Sequence, residues 1–559
     1  MIRYIFFLFI SFSLFSQSIN LNNDYLNRYI NNYTLMGEIN TSYSNTIRPI
    51  SLKKITNENP NFDFDFFRKK IFHTKNKFIE FDLLPINYLT EFNSAHPYKR
   101  NNGSMVPNSG FQHIFSMGFY LKIGPLSIQL SPEHHYSDNK NFDGFWEGHY
   151  PEIWKKRYQL WNYIDLPERH GEKRHNKLLS GQSSVRLNWK NLSLGISSEN
   201  IWWGPSKRNS IMMSNNARGF NHITFNSLYP FKTKIGYFEW QLLTGRLERS
   251  GFTPPRTDYM YAGSYLYRPK LNQRGEEDWR YFQGLIITYS PKWIDGLSLG
   301  FIRWVQMYSA LVEGKYPWLK GEPTYFPIFK NLFRKNDIYE NYEDQTDQAA
   351  GVFLKWFWKE SKAEIYAEFY NGDAKQNFRD LLLDANHSRA ITAGLQKVFN
   401  LGNSNYIFNW EWTQMEQSAS RLVRNAGSWY SHSYVYDGYT NYGEVLGSRI
   451  GPGSNSHYFS LNKINKNKTL GIAFEMISND NDFYYEAFSS AQDYRRYWKD
   501  FNLHINFDQK FKSFWISANF VFIRSLNYQW EIDDYAEPYY HPGKDVNSFS
   551  SYINFSYFF

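Results

Sequence analysis

Short stretches in which apolar and polar residues alternate recur along most of the chain. Residues 185–190 place Val185, Leu187 and Trp189 on one side, and after a turn at Asn191 the alternation resumes through residues 192–197. Period-two alternation predicts half-buried strands, and two such stretches around a tight turn predict a hairpin. The same alternation occurs at residues 126–131, 363–369, 406–412 and 501–507.

The apolar side of these predicted strands is rich in aromatic rings, as between Tyr406 and Trp412. The opposite side is polar, with Asn409 and Glu411 in that stretch and His504 in the stretch 501–507. A water-soluble β-sandwich would also alternate, but its inner face would be dominated by Val, Ile and Leu. An aromatic outer face and a polar inner face are typical of an outer-membrane barrel. Closing the sheet would also remove the unpaired strand edges that promote aggregation.

The first sixteen residues predict a signal peptide. Arg3 supplies a basic start, residues 5–15 are an apolar core, and the small residue Ser16 precedes Gln17 as a cleavage position. A membrane anchor is the alternative, but this core is shorter than the roughly 20 residues that a spanning helix needs. No later stretch is continuously apolar over that length. The chain is therefore expected to be exported.

The last nine residues form another alternating stretch, in which Ile553, Phe555, Tyr557 and Phe559 share one side. A terminal aromatic strand ending in Phe resembles the segment by which barrel-insertion machinery recognises bacterial outer-membrane proteins. We therefore predict an all-β protein, a transmembrane antiparallel β-barrel of about 14 to 18 strands in the bacterial outer membrane.

Three regions are predicted from these patterns: the signal peptide at residues 1–16, an N-terminal periplasmic or plug-like segment at 17–77, and the barrel at 78–559. The middle region is polar, with weak helical spacing. Short turns such as Gly124-Pro125 and Asp295-Gly296 fit the periplasmic end of a barrel, and long loops fit the exterior. The predicted long loops span residues 134–181, 245–278, 310–347, 371–389, 421–457 and 531–546.

Composition narrows the function classes. The chain has 559 residues, of which 20% are aromatic, yet its mean hydropathy is −0.60, which favours strands over membrane helices. The lack of cysteine excludes disulfides, thiolate catalysis and Cys-ligated zinc. The net charge of +9 is compatible with an ordinary mixed surface or with attraction to lipopolysaccharide and acidic glycans. Nucleic-acid binding is not expected, because the basic residues are dispersed.

Four ordered stretches resemble the capsule-assembly Wzi family. The most specific is a WWGP element followed by SNNAR. A second stretch contains the sequence His-Pro-Tyr and leads into a Gly-Pro turn and Ser-Pro-Glu, and two further stretches lie nearer the C-terminus. In the order just given, the four stretches occupy residues 200–218, 96–133, 387–397 and 427–455. Because four stretches occur in the same order as in the family, the resemblance is more specific than one motif would be.

The resemblance implies a large barrel, favours 18 strands, and adds a small, possibly helical element on the periplasmic side. It also implies a lectin-like, non-enzymatic role in holding capsular or other polysaccharide at the cell surface. Expected partners are that polysaccharide, outer-membrane lipid and lipopolysaccharide, and the insertion machinery acting through Phe559. We expect a monomer without a cofactor or a metal. This chain differs from the family in its short, weakly helical N-terminal segment.

Candidate glycan-binding residues lie in the resembling stretches, and each has a structural alternative. Trp202 and Trp203 could stack on the apolar faces of sugars, or belong to the aromatic membrane girdle. The polar candidates offer amide, guanidinium, imidazole and hydroxyl groups to the hydroxyls and carboxylates of sugars, or else they cap turns, form a salt bridge in the lumen or pack a loop. These polar candidates are Asn215, Asn216, Arg218, Tyr430, His432, Tyr439 and Asn441.

Two other function classes compete with polysaccharide binding. A passive channel for small solutes would explain polar residues facing the lumen, and the carboxylates Glu364, Glu368 and Glu411 would then need basic partners there. A barrel enzyme is not expected, since the chain contains neither a nucleophile elbow nor an H-E-x-x-H zinc motif. His134 and His135 are adjacent on a predicted strand, so their side chains should diverge rather than share a metal.

Overall fold

The computed structural model describes most of the chain between Ser18 and Phe559. The described residues are 18–22, 24–40, 43–60, 69–272, 275–312, 325–329, 345–372, 378–402, 404–465, 467–489, 495–531 and 543–559. The predicted signal peptide lies outside them, and the predicted boundaries of the three regions stay predictions.

Short helices occur in the connections and in the N-terminal segment, and none of them is part of the barrel wall. The α-helices are α1 (Asp24–Leu35), α2 (Leu52–Glu58), α3 (Pro151–Trp161), α4 (Ser309–Val312), α5 (Phe378–Leu383) and α6 (Asn481–Phe488). Single 3-10 turns occur at Pro327–Phe329, Ala419–Leu422 and Tyr528–Trp530. Among the described residues, no helix is both long enough and apolar enough to cross a membrane.

The remaining regular structure is β. The first strands are β1 (Ile47–Arg48), β2 (Lys69–His73), β3 (Ile79–Leu83), β4 (Ile86–Asn93), β5 (Gly110–Ser116), β6 (Phe119–Ile123), β7 (Leu126–Leu130), β8 (Glu133–Ser137), β9 (His175–Leu179), β10 (Ser184–Trp189), β11 (Leu192–Ser197), β12 (Trp202–Trp203), β13 (His222–Ser227), β14 (Phe231–Lys232), β15 (Gly236–Leu247), β16 (Met260–Tyr261) and β17 (Ser264–Tyr265). The later strands are β18 (Arg280–Pro291), β19 (Leu297–Tyr308), β20 (Asp347–Trp358), β21 (Ala363–Gly372), β22 (Arg389–Leu401), β23 (Ser404–Gln414), β24 (Thr440–Asn441), β25 (Glu444–Val445), β26 (Asn455–Asn465), β27 (Lys468–Ser478), β28 (Lys499–Lys510), β29 (Phe514–Leu526) and β30 (Val546–Tyr557).

Twenty-four of these strands form one antiparallel sheet in which each long strand pairs with the next along the chain. Strands β3 and β4 are two halves of one long strand, and the same holds for β5/β6, β7/β8 and β9/β10. Both halves of each strand pair with the corresponding halves of its neighbour. The last strand, β30, pairs with β4 from Tyr557↔Ile86 to Ser550↔Asn93. The ladder thus returns to its first long strand.

The described residues form eighteen long strands around this ring, because β14 only extends β13 along β15 and β2 is an extra hairpin arm on β3. The all-β prediction is confirmed, and eighteen lies at the upper end of the range predicted from the sequence.

The wall is apolar on its outer side and polar on its inner side. On β28, Leu503 and Ile505 are exposed, while Asn502, His504 and Asp508 are buried in the lumen. Other exposed apolar wall residues are Val185, Leu187, Leu194, Ile196, Ile223, Ile287, Leu299, Val352, Leu461, Leu470, Ile472, Phe474, Phe522 and Phe555. This inverted pattern fits a wall surrounded by lipid.

The two ends of the barrel differ in their connections. Short turns at 124–125, 190–191, 292–296 and 359–362 join strands at one end, which also holds the C-terminus. The long connections lie together at the opposite end of the barrel, as predicted from the sequence. Three long connections, at 94–109, 198–221 and 479–498, were not predicted; the last contains α6 and faces the connection that contains α3.

Helix α1 lies inside the barrel near the end with short turns. Its Tyr25 and Tyr29 rings pack on Trp515 of the wall, at centroid distances of 4.9 and 5.2 Å. Buried apolar side chains from α1, α2 and the wall, including Ile407, form one cluster there. The helical spacing in the sequence is weak, yet α1 is an ordered helix. Its apolar face packs against the inner wall of the barrel and not against another helix of a bundle.

The connection 198–221 runs from the end with long loops into the lumen. Its strand β12 pairs with β1, with Trp203 opposite Ile47. Farther along, Lys207 pairs with Glu364 at 2.9 Å, and backbone amides from Lys207 to Asn209 donate to Glu411. Both carboxylates project from wall strands. The predicted basic partner is present for Glu364, whereas Glu411 accepts backbone N–H groups and Glu368 accepts the Ser206 N–H. This segment and the N-terminal helices occupy the lumen, which does not favour the open channel alternative.

Candidate functional site

The two tryptophans of the WWGP stretch lie in the lumen. Trp203 is fully buried and donates its indole N–H to Gln241 Oε1 at 2.7 Å. Trp202 is also buried, and the Arg48 guanidinium lies 4.7 Å from its ring centroid. Neither ring therefore belongs to the membrane girdle. Trp202 lines a lumen cavity, so its contact with a ligand stays a prediction.

The SNNAR residues connect the 198–221 segment to its neighbours. Asn215 donates to the Asn101 carbonyl at 3.0 Å, and Asn216 donates to the Val445 carbonyl at 2.9 Å. The guanidinium of Arg218 lies over the Tyr442 ring. These contacts connect segments of the protein, and ligand contact by Asn215, Asn216 or Arg218 stays a prediction.

The predicted residues of the 427–455 stretch converge on the same segment. Tyr430 and Tyr439 donate their hydroxyls to the carbonyls of Ile211 and Met212, at 2.9 and 2.6 Å. Asn441 donates to the Arg218 carbonyl at 3.0 Å, whereas His432 is partly exposed and accepts the Val435 N–H. The sequence thus predicted residues that do come together. Because most of them are buried among protein partners, we do not include them in the ligand-binding surface described next.

A cavity of about 170 Å³, here called the exterior cavity, lies at the end with long loops. Its walls include Trp161, Trp498, Tyr528 and Trp530, which come from three different connections. Trp498 meets Tyr528 and Trp530 edge to face, at centroid distances of 5.2 and 5.1 Å. The helices α3 and α6 hold these rings in place through a shared aromatic cluster. Of these rings only Trp498 is partly exposed, and the buried rings of Trp161, Tyr528 and Trp530 support it from behind.

Charged and polar groups are interleaved with these rings. Arg157 lies 4.9 Å from the Trp161 ring and pairs with Asp480 at 3.2 Å. Asp500 accepts the indole N–H of Trp498 at 2.9 Å. Carboxylates and guanidinium groups beside flat rings can bind sugar hydroxyls while the rings cover apolar C–H faces. The arrangement is chemically suited to carbohydrate.

Two further charged groups of the exterior cavity are perturbed. Burial raises the pKa of Glu444 to about 7, against the smaller opposing influence of Lys99. Burial also lowers the pKa of Lys99, which Glu444 and Asp480 partly restore. One Glu444 carboxylate oxygen has no hydrogen-bond partner among the described residues.

Glu444 should make stability depend on pH. Its folded pKa of about 7 exceeds the ordinary value of 4.5, so folding takes up a proton and stability falls as pH rises from 4.5 to 7. This loss should reach at most ~3 kcal/mol. The variant Glu444→Gln should lack this dependence of stability on pH. The measurement is the thermal unfolding midpoint in detergent at pH 5 and pH 8. Glu152→Gln, at an exposed position of α3, is the control, and an equal pH dependence in Glu444→Gln and wild type would contradict the assignment.

The rings of the exterior cavity were not singled out from the sequence. Trp498 immediately precedes a strand, a position where a membrane girdle is the ordinary expectation. Trp161 and Trp530 lie in long connections, where single aromatic residues carry no periodic signal. Their only common feature in the sequence is that each is a Trp outside the alternating stretches.

Glu133, His134 and His135 are adjacent on one strand, and the two imidazoles diverge as the strand geometry predicts. His134 lies on the outer face and contacts Asn176 at 2.8 Å, whereas His135 is buried on the lumen side. Glu133 accepts hydrogen bonds from Asn22, Ser104 and Gln182. The two imidazoles therefore cannot bind one ion together with Glu133.

Comparison with known proteins agrees with this architecture. Residues 92–307 match the family model described as capsule assembly protein Wzi. The resemblance to the Wzi family is confirmed over these residues. No curated protein sequence matches the chain.

Among solved structures, the fold is similar to Wzi of Escherichia coli, described as an outer membrane protein involved in group 1 capsule assembly and a carbohydrate-binding β-barrel. The TM-score is 0.58 at 11% identity, covering 96% of this chain and 98% of that one. Two other solved structures are more distant. OprD of Pseudomonas aeruginosa has a TM-score of 0.38 at 10% identity, with 89% of this chain and 98% of that one covered. OccAB1 of Acinetobacter baumannii has a TM-score of 0.38 at 9% identity, with 84% and 95% covered.

The Wzi-family match covers two of the four resembling stretches, at 96–133 and 200–218. The stretches at 387–397 and 427–455 lie beyond it. The 427–455 stretch nevertheless packs on the WWGP segment, through Tyr430 and Tyr439. The contact joins the part of the chain that matches the Wzi family to a part that does not.

Proposed function

We propose that this protein is an outer-membrane barrel that binds and retains surface polysaccharide at its exterior cavity without catalysing a reaction. The observation that carries the proposal is the partly exposed ring of Trp498 in a cavity at the end with long loops, where the buried rings of Trp161 and Trp530 support it. The carbohydrate-binding description of the E. coli neighbour supports the same ligand class.

The exposed apolar outer wall supports the outer-membrane location, because such a surface is compatible with lipid and not with water. The loops that form the exterior cavity then lie outside the cell, where a surface polymer would be found. Contacts with lipopolysaccharide, recognition of the terminal strand by insertion machinery and a monomeric state remain parts of the proposal.

Retention of a polymer does not need a tight single site. Each ring that stacks on a sugar face contributes a modest free energy, and a long chain presents the same residue many times. Repeated units raise the effective concentration once one unit is bound, as does a dense array of barrels in the membrane. A shallow aromatic cavity on each molecule is therefore sufficient for retention.

The proposal predicts that Trp498→Ala lowers the affinity for purified surface polysaccharide at least ~10-fold, because the ring that joins Tyr528 and Trp530 is lost. Biolayer interferometry of the purified barrel with polysaccharide from the native cell surface measures this. Trp498→Phe keeps a ring and should retain most of the affinity.

The matched control is Trp293→Ala, which removes a 67% exposed ring from a short turn at the opposite end. It should bind polysaccharide as wild type does. Equal affinity of wild type and Trp498→Ala, or equal losses in Trp498→Ala and Trp293→Ala, would reject the exterior cavity as the binding site. Imaging of surface polymer in a deletion strain tests retention itself, and unchanged polymer would reject the function.

A further inference from the structure

A second cavity, here called the lumen cavity, lies deeper in the barrel and has a volume of about 240 Å³. Its lining combines α1, the 198–221 segment and wall strands, and it is strongly basic. Most of the basic side chains that line it are compensated by carboxylates. The ion pairs are Arg28–Asp508, Arg100–Glu91, Lys207–Glu364, Arg208–Glu475 and Arg449–Glu475.

Two cations of the lumen cavity lack such compensation. Arg48 donates to the carbonyls of Gly204 and Ser206 and stacks on Trp202, but it forms no ion pair with a described carboxylate. The Lys99 ammonium likewise forms no direct ion pair or hydrogen bond in the described part of the chain, although the carboxylates of Glu444 and Asp480 act on its charge from a greater distance. Cations without a direct partner in a confined space favour an anion.

Several buried polar atoms around the same cavity also lack protein partners. Arg48 and Arg208 each have a free Nε–H donor, and Asn101 and Asn215 each have a free side-chain carbonyl. Buried groups of this kind are normally hydrogen-bonded. Free donors beside uncompensated charge suit an oxyanion, whereas free carbonyls accept hydrogen bonds from hydroxyl groups. A ligand that satisfies both sets carries a negative charge and several hydroxyls.

We propose that the lumen cavity binds a hydroxylated oxyanion, a sugar acid or the phosphate of a sugar phosphate, through Arg48 and Lys99. Lys99 and Arg449 line both the lumen cavity and the exterior cavity, as does Tyr98. A charged group can therefore come from a free small molecule or from a sugar unit of a polymer held outside. The proposal does not depend on the proposed polysaccharide function, because Arg48, Arg208, Asn101 and Asn215 line the lumen cavity and not the exterior cavity.

Isothermal titration calorimetry of the full-length barrel in detergent tests the site with three probes: glucuronate, inorganic phosphate and neutral glucose. Glucuronate should bind and glucose should not. Lys99→Gln should weaken glucuronate at least ~10-fold, because a charge-assisted contact is lost. Since the Lys99 ammonium has no protein partner, this variant should fold normally. Binding of phosphate as well as glucuronate indicates that the charge alone suffices, and binding of glucuronate alone indicates that the hydroxyls are needed.

Lys173→Gln removes the same charge from an exposed position and should bind glucuronate as wild type does. Arg48→Lys keeps the charge and should bind more strongly than Arg48→Gln. Equal binding of glucuronate and glucose, or unchanged binding in Lys99→Gln, would overturn the proposal. Trp498→Ala separates the two sites: it should lower polysaccharide affinity while leaving glucuronate binding intact, so failure of either proposal is visible without the other.

Discussion

Replacing Glu475 by glutamine should lower the free energy of unfolding by about 3–5 kcal/mol, the largest loss expected from a single neutralised side chain in this barrel. Glu475 projects inward from β27 and contacts Arg208, Arg449 and His504, and it accepts the Tyr98 hydroxyl at 2.9 Å. Removing the charge leaves two arginines in the lumen without an ionic partner.

The same substitution should loosen the segments that fill the lumen. Arg208 belongs to the connection 198–221, Arg449 to the connection 415–454 and Tyr98 to the connection 94–109, so one carboxylate joins three inward-folded segments to the wall. Conductance in planar bilayers should rise in Glu475→Gln relative to wild type. Urea unfolding in detergent gives the loss of stability.

Glu248→Gln is the matched control, because Glu248 pairs with the exposed Arg246. Such exposed pairs contribute about 0–1 kcal/mol, so this variant should stay close to wild type in both assays. If Glu475→Gln unfolds at the same urea concentration as Glu248→Gln, Glu475 does not hold the lumen segments together.

An arginine placed on the outer wall should be costly only if lipid surrounds the barrel. Leu503 is 50% exposed near the middle of β28, opposite Phe474 and Phe522 on the neighbouring strands. In a bilayer, Leu503→Arg should lose about 2–4 kcal/mol of folding free energy, because the guanidinium lies in hydrocarbon. In a water-soluble protein an exposed position would tolerate the same change.

Reversible urea unfolding in lipid vesicles, followed by tryptophan fluorescence, measures this difference. Val423→Arg is the control, since Val423 is almost fully exposed in a long connection at the end of the barrel and should remain hydrated. Indistinguishable stabilities for the two variants would show that Leu503 does not face lipid, and the membrane-spanning assignment of the wall would fail.

The alternating stretches predicted the wall because alternation is a local property. Leu503 and Ile505 point outward and Asn502 and His504 inward whichever strands lie beside them, since successive side chains of a strand face opposite sides. The short turns and the predicted long loops are equally local, and the structure agrees with them, but the long connections at 94–109, 198–221 and 479–498 were not predicted. The all-β fold was therefore predictable without any knowledge of contacts.

The candidate site was predicted less completely. The resembling stretches contain Trp203, Tyr430 and Tyr439, which do come together, yet their rings and hydroxyls are used for packing the lumen. Resemblance identifies residues that a family shares, and a shared residue can serve the fold as well as the ligand. The exterior cavity depends on Trp161, Trp498 and Trp530, which lie in three different connections and share no local pattern.

By itself the sequence determined that this chain is a barrel with an apolar outer face, because strand periodicity and turn length act within about ten residues. Only the tertiary structure decided that the 198–221 segment fills the lumen and that Arg48 and Lys99 lack carboxylate partners there. The same holds for the aromatic rings that form the exterior cavity. Those features depend on which distant segments come into contact inside the closed ring of strands. Whether a charge finds a partner, and whether rings enclose a cavity, is decided by those contacts and not by any one stretch of sequence.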